Sequence, residues 1–167
     1  MRYGLPTGSG VKIITFLTLV LPLAVAISLY WLYSIDFFVI GVAVTLPIFV
    51  IFAIVYAYSP KEVILEIDRI VIRKVFGEVT IPYSRIKDVS YFGKLKWKTI
   101  RLFGSGGLFG WFGLFHITEI GEVWVYARRN KDMVLIKADK NYLLAPENPE
   151  DFMENLKVRL NKFEQAK

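Results

Sequence analysis

From Ile13 to Tyr33, and again from Phe37 to Ser59, the chain carries no charged side chain; the two runs are 21 and 23 residues long. A helix rises ~1.5 Å per residue and a bilayer core is ~30 Å thick, so each run predicts a membrane span. Pro22 and Pro47 would break helices in water but are tolerated within spans. Tyr30, Trp31 and Tyr33 close the first run, and Tyr56 and Tyr58 the second, as aromatic rings do near headgroups. Two other readings compete. One is a pair of buried core helices, which the length of the runs disfavours. The other is a signal peptide cleaved after Ala24-Val25-Ala26, against which the apolar run continues to Tyr33 and then meets a second run.

Only Ser34, Ile35 and Asp36 separate the runs, so the two helices should form a tight antiparallel hairpin. Arg2 and Lys12 precede the first run, Lys61 follows the second, and the turn carries only Asp36. The positive-inside rule then predicts a multi-pass protein of the cell membrane with both termini in the cytoplasm. The expected organisation is a transmembrane hairpin over residues 1–60 and a cytoplasmic domain over residues 61–167.

Beyond Pro60 the period changes. Val63, Leu65 and Ile67 alternate with Ile64, Glu66 and Asp68, and Ile70-Val71-Ile72 resumes after Asp68-Arg69, which reads as a β-hairpin. Short apolar runs at Val79–Ile81, Ile86–Phe92, Glu122–Ala127, Met133–Ala138 and Tyr142–Leu144 are separated by Gly, Pro, Asn and Asp. The count is about seven strands. Asn148-Pro149-Glu150-Asp151 then combines an N-cap residue, proline at the first helical position and acids in the first turn. Phe152, Leu156, Leu160 and Phe163 follow at helical spacing. Seven strands and one amphipathic helix predict a small barrel, or a pair of packed sheets, plugged by that helix. A two-layer α+β sheet fits the same pattern.

Composition narrows the chemistry. The 167 residues include no cysteine, which excludes disulfides, thiolate nucleophiles, iron–sulfur clusters and cysteine-based zinc sites. His116 is the one histidine. With Glu119 and Glu122 near in sequence it has a metal reading, but a lone histidine after an aromatic run is more often a packed or surface residue. No constellation for acid–base or nucleophilic work is present. The reading is therefore non-enzymatic, with no cofactor and no metal. Of the net charge of +6, +5 falls after residue 60.

Two stretches stand out. Leu102–Phe115 has no charge over 14 residues, too few to span, and glycine recurs at Gly104, Gly107, Gly110 and Gly113 with Gly106 added. Phe103, Phe109, Trp111 and Phe112 lie between them. No lysine follows a glycine within this segment, so the phosphate-loop pattern fails there. Phe109 occupies the last glycine position of a G-x-G-x-x-G begun at Gly104, and Phe103 the first glycine position of a nucleophile elbow around Ser105. Either this segment is an irregular connection whose aromatics fill the core, or it docks on the bilayer or a neighbouring chain. Just before it, Lys94, Lys96, Lys98 and Arg101 surround Trp97 with no acid between Asp88 and Glu119. Such a cluster suits the headgroup layer of an anionic leaflet, although a solvated hairpin tip has the same composition. Nucleic acid is disfavoured by the modest charge and the lack of a binding motif. Arg128-Arg129 reads as a turn between strands, or as an extension of the basic face.

The two apolar runs, the stretch RLFGSGGLFGWFGLF (Arg101–Phe115), the EVWVYA and MVLIKA strands and the Pro146–Phe152 lead into the last helix (Pro-Glu-Asn-Pro-Glu-Asp-Phe) resemble a prokaryotic family of membrane-anchored pleckstrin-homology-like (PH-like) proteins. The resemblance covers essentially the whole chain. It implies an α + β membrane protein in which a two-helix hairpin precedes a seven-stranded PH-like barrel capped by the C-terminal helix. It implies little about activity, because that fold hosts lipid binders, peptide binders and oligomerisation modules. The expected function is to bind protein partners or self-associate at the cytoplasmic face, through the glycine/aromatic segment and the basic cluster. The alternative is direct binding of anionic lipid headgroups, or sensing of membrane state, by the same lysines.

Overall fold

A computed structural model describes residues 1–32, 35–95 and 99–165. The apolar runs form α1 (Ser9–Leu32) and α2 (Ile35–Ala57). Tyr33 and Ser34, at the expected turn, lie outside the described residues. Each helix is long and apolar enough to cross a membrane, and only 11% of either apolar window is buried, which removes the core-helix reading. Thr18, Ser28 and Thr45 donate their hydroxyls to carbonyls four residues back, so these three polar groups are satisfied within the helices.

The domain begins before the helices. Strand β1 (Arg2–Gly4) pairs antiparallel with β2 (Pro60–Leu65), Tyr3 opposite Val63. The terminal ammonium donates to the Leu65 carbonyl at 3.0 Å, and the Leu65 N–H donates to the Met1 carbonyl at 2.9 Å. Strands β3 (Arg69–Lys74) and β4 (Glu78–Pro82) complete a four-stranded sheet in the order β1-β2-β3-β4. A second sheet holds β5 (Asp88–Gly93), β6 (Thr99–Gly106), β7 (Trp111–Ile117), β8 (Gly121–Ala127), β9 (Met133–Lys137) and β10 (Asn141–Leu144). Its order is β5-β9-β10-β8-β7-β6, antiparallel except where β10 runs parallel to β8.

Two expectations are corrected here. The described residues form ten strands rather than seven, and the two sheets do not close into a barrel: no ladder joins β4 to β5 or β6 to β1. The additional strands are β1, β6 and β7. The last two are the glycine/aromatic segment, which is a paired β-hairpin carrying one bulge rather than an unpaired connection.

Alternation of side chains along a strand explains the packing. On β9, Val134 and Ile136 face the four-stranded sheet, together with Val63, Leu65, Ile70 and Ile72, while Met133 and Leu135 join a second cluster with Phe115, Val123 and Val125. Because both faces of β9 are buried, its sequence reads as a continuous apolar run rather than an alternating one. The final helix, α3 (Pro149–Gln165), closes the first core. Asn148 caps it, its Oδ1 accepting from the Asp151 N–H at 3.4 Å, and Pro149 opens it as expected. Phe152 and Leu156 are fully buried, each contributing ~1.5–3 kcal/mol by area.

Three phenols sit in this core region with pKa values raised from 10.0 to about 12: Tyr3, Tyr83 and Tyr126. Burial is the first cause in each; for Tyr3 the hydrogen bond to the Asp151 carboxylate adds to it. The unfolded chain releases these protons above pH 10 while the folded one retains them until about pH 12, so their contribution is intact below 10 and lost between 10 and 12. Tm should therefore be insensitive to these groups at about pH 8–9 and decline steeply as the pH passes 10. A Tm that stays level to about pH 11.5 would contradict this assignment.

Candidate functional site at the junction of helices and sheets

The hairpin of β6 and β7 owes its shape to glycine. Gly104 and Gly113 lie opposite each other with φ of +109° and +119°. A Cβ on Gly113 would fall on the Phe103 carbonyl oxygen and 2.7 Å from the Gly104 Cα, and the reverse substitution meets the Phe112 carbonyl. The two backbones thus approach more closely than any side chain allows. A bulge at Leu102 precedes this crossing. At the tip, the Gly107 N–H donates to the Gly110 carbonyl at 2.9 Å and the Ser105 hydroxyl to the Leu108 carbonyl at 2.6 Å, and Phe109 takes a φ of +57°.

That tip rests on the ends of the long helices. The Phe109 N–H donates to Thr15 Oγ1 of α1 at 3.0 Å, the Phe109 ring meets Tyr56 of α2 edge-on at 5.2 Å, and Gly107 lies beneath Ile14. Other segments hold the same junction. The Gly8 N–H donates to the Arg128 carbonyl at 2.9 Å. In the turn between β3 and β4, the Val75 N–H donates to Ser59 and the Phe76 N–H to Ala57, satisfying carbonyls that the end of α2 leaves open. Helix hairpin and sheets are therefore tied at three separate loops.

A cavity of about 410 Å³ lies within this junction, between Ile54, Val55 and Tyr58 of α2 and the Phe103, Phe112, Trp124 and Tyr126 side chains of the six-stranded sheet. Trp124 and Tyr126 stack with centroids 6.5 Å apart. Lys74, at the end of β3, lines the same space with its Nζ 5.1 Å from the centre of the Tyr58 ring. It is half-buried, and no carboxylate among the described residues pairs with it. In the sequence Tyr58 stands out only as an aromatic residue near the end of the second apolar run, and Lys74 not at all, being one of three basic residues in the six of β3.

The residues expected to carry function are distributed unequally around this junction. Phe112 is buried, Trp111, Phe109 and Leu108 are partly buried, and Gly107, Gly110 and Gly113 are enclosed; much of the segment is occupied by internal packing. Phe103 and Gly104 are exposed. From the basic cluster, Lys94 and Arg101 are exposed, and Arg101 lies along Gly106. Lys96, Trp97 and Lys98 lie outside the described residues. Arg129 is structural: its Nη2 donates to the Pro146 carbonyl at 2.7 Å, and Nη1 pairs with Asp132 at 3.5 Å. His116 is exposed opposite Glu122, and among the described residues no group of three His, Cys, Asp or Glu side chains is placed to hold a metal.

Comparison with known proteins agrees with the domain's architecture. The family model for a bacterial PH domain matches residues 61–160, from β2 through most of α3. No curated protein and no solved structure matches the chain. The match covers more than half of the sequence and takes in both sheets apart from β1 together with most of the closing helix, and the chain belongs to the bacterial PH domain family.

Proposed function

We propose that this chain is a non-catalytic, membrane-anchored module whose PH-like domain sits on the cytoplasmic surface of the cell membrane and binds anionic lipid there. The observation that carries this reading is the location of two exposed rings. Phe76 and Phe103 are both 74% exposed, and both lie beside the last turn of α2, one hydrogen-bonded to Ala57 and the other facing Ile54, Val55 and Tyr58 across the cavity. Two phenylalanines left in water at the foot of an apolar helix match an interfacial position. Pairing of β1 with β2 supports the two chain ends lying on one side, and Arg2, Lys12 and Lys61 support that side being the cytoplasm.

A second reading, a second copy or a protein partner, is favoured by Ile100 and Leu102, which are 60% and 52% exposed on the edge strand β6. The bulge at Leu102 and the positive φ of Gly104 blunt that edge against strand addition. Such a partner would have to meet side chains rather than extend the sheet.

One labelling series tests both. The chain has no cysteine, so single cysteines placed at Phe76, Phe103, Ile100 and Ile67 can carry environment-sensitive probes in the full-length protein in vesicles. Ile67 is 87% exposed in the turn after β2, roughly 20 Å from the α2 end of that strand. Probes at Phe76 and Phe103 should be quenched by lipid-borne quenchers and the probe at Ile67 should not. A probe at Ile100 shielded from water yet beyond the lipid quenchers supports the second reading. Water-exposed probes at both Phe76 and Phe103 would defeat the membrane-seated one.

A further inference from the structure

We infer that the cavity between α2 and the six-stranded sheet is a binding site for a single anionic phospholipid, one of its two acyl chains lying among the aromatic side chains and its phosphate meeting Lys74. The inference rests on the reading that the domain is seated on the bilayer. At about 410 Å³ the cavity falls within the ~300–1,000 Å³ range of small-molecule sites. Its walls are Ile54, Val55, Phe103, Phe112, Trp124 and Tyr126, so water would find few partners there. The Ser105 hydroxyl, which also lines it, already donates to the Leu108 carbonyl.

The choice of occupant follows from the two ends of the site. Ile54 and Val55 belong to the apolar window Val39–Ala57, so the cavity adjoins the layer in which α2 ends, and the apolar molecules available in that layer are acyl chains. Lys74 supplies a half-buried cation without a carboxylate partner among the described residues. A purely apolar ligand would leave that charge uncompensated, whereas a phosphate compensates it. The Tyr58 ring, in the lining of the same cavity, lies within cation–π distance of the ammonium. A molecule with a long apolar part and an anionic end satisfies both features at once.

The test uses the full-length protein in nanodiscs containing equal phosphatidylglycerol and phosphatidylcholine, released into the gas phase for mass measurement. The wild type should retain one phosphatidylglycerol per chain. Lys74→Gln should lower the preference for phosphatidylglycerol over phosphatidylcholine roughly fivefold, about the worth of one cation at an anionic surface. Val55→Trp fills the slot from the α2 side and should abolish retention of either lipid. Quenching of the Phe76 probe should persist in Val55→Trp, so a failure of the cavity is distinguishable from a failure of the membrane-seated reading. Equal retention of the two lipids by the wild type, or unchanged retention in Val55→Trp, would overturn the inference.

Discussion

Replacing Gly113 with alanine should destabilise the domain by about 3 kcal/mol or more and release the β6–β7 tip from the helices. The new Cβ would fall on the Phe103 carbonyl oxygen and 2.7 Å from the Gly104 Cα, and its φ of +119° is one that L side chains rarely adopt. Backbone strain of that kind costs ~1–3 kcal/mol before the collision is counted. Because the colliding atoms belong to backbone, no rotamer change can relieve it. β7 lies between β6 and β8, so any retreat of the strand also disturbs Phe115 and Ile117 in the second core cluster. The contacts of Phe109 with Thr15 and Tyr56 depend on the same geometry. Gly10→Ala in the first turn of α1 provides the contrast: a Cβ there meets nothing within 4 Å, and alanine is the better helix former, so no loss is expected. Thermal or denaturant unfolding of the two variants decides the matter. A Gly113→Ala protein within 1 kcal/mol of wild type would show that the paired glycines are not required for the crossing.

The second large effect is expected far from that hairpin in sequence, at Tyr3. Tyr3→Ala should cost about 3–5 kcal/mol, the range for deleting a buried aromatic ring. The ring is buried in the first core cluster, meets Phe152 edge-on at 5.2 Å, and donates its hydroxyl to Asp151 Oδ2 at 2.7 Å. Tyr3→Phe keeps the ring and removes a bond to a carboxylate, so a smaller loss of ~1.5–3 kcal/mol is expected. The ordering of wild type, Tyr3→Phe and Tyr3→Ala in unfolding midpoint is the measurement; an unchanged midpoint for Tyr3→Ala would remove β1 from the cooperative unit. The same argument bears on fragment design. A piece starting at residue 61 lacks β1, Tyr3 and Leu5, exposes the edge of β2, and leaves a gap against α3. Binding experiments therefore belong on the full chain.

Most elements can be read in the sequence because their signals are local. Uncharged runs mark α1 and α2, and alternation marks β2 and β3. The Asn148-Pro149 start with Phe152 and Leu156 marks α3, which forms where the cap and spacing place it. Three strands escape this reading for definable reasons. Strand β1 has three residues, too few to show a period, and its partner lies beyond both long helices. In β6 and β7 the recurring glycines interrupt alternation, and they are required because Gly104 and Gly113 face each other across the hairpin, a relation between residues nine apart. The expected barrel depended on which strand edges meet. Edge pairing is a long-range hydrogen-bonding choice, and the two sheets stay open.

The candidate site divides in the same way. The sequence by itself marks Leu102–Phe115 as an apolar excess that the two long apolar runs do not explain, and it marks the basic cluster that precedes it. Only the tertiary structure decides that the tip of this segment lies against Ile14, Thr15 and Tyr56, that Phe103 is left exposed while Phe112 is buried, and that Lys74 and Tyr58 share a cavity with them. Composition and period report on how each residue relates to its near neighbours and to solvent. The junction is made from α1, α2, β3, β6, β7 and β8, and nothing in the local pattern of any one of them determines which of the others it will touch.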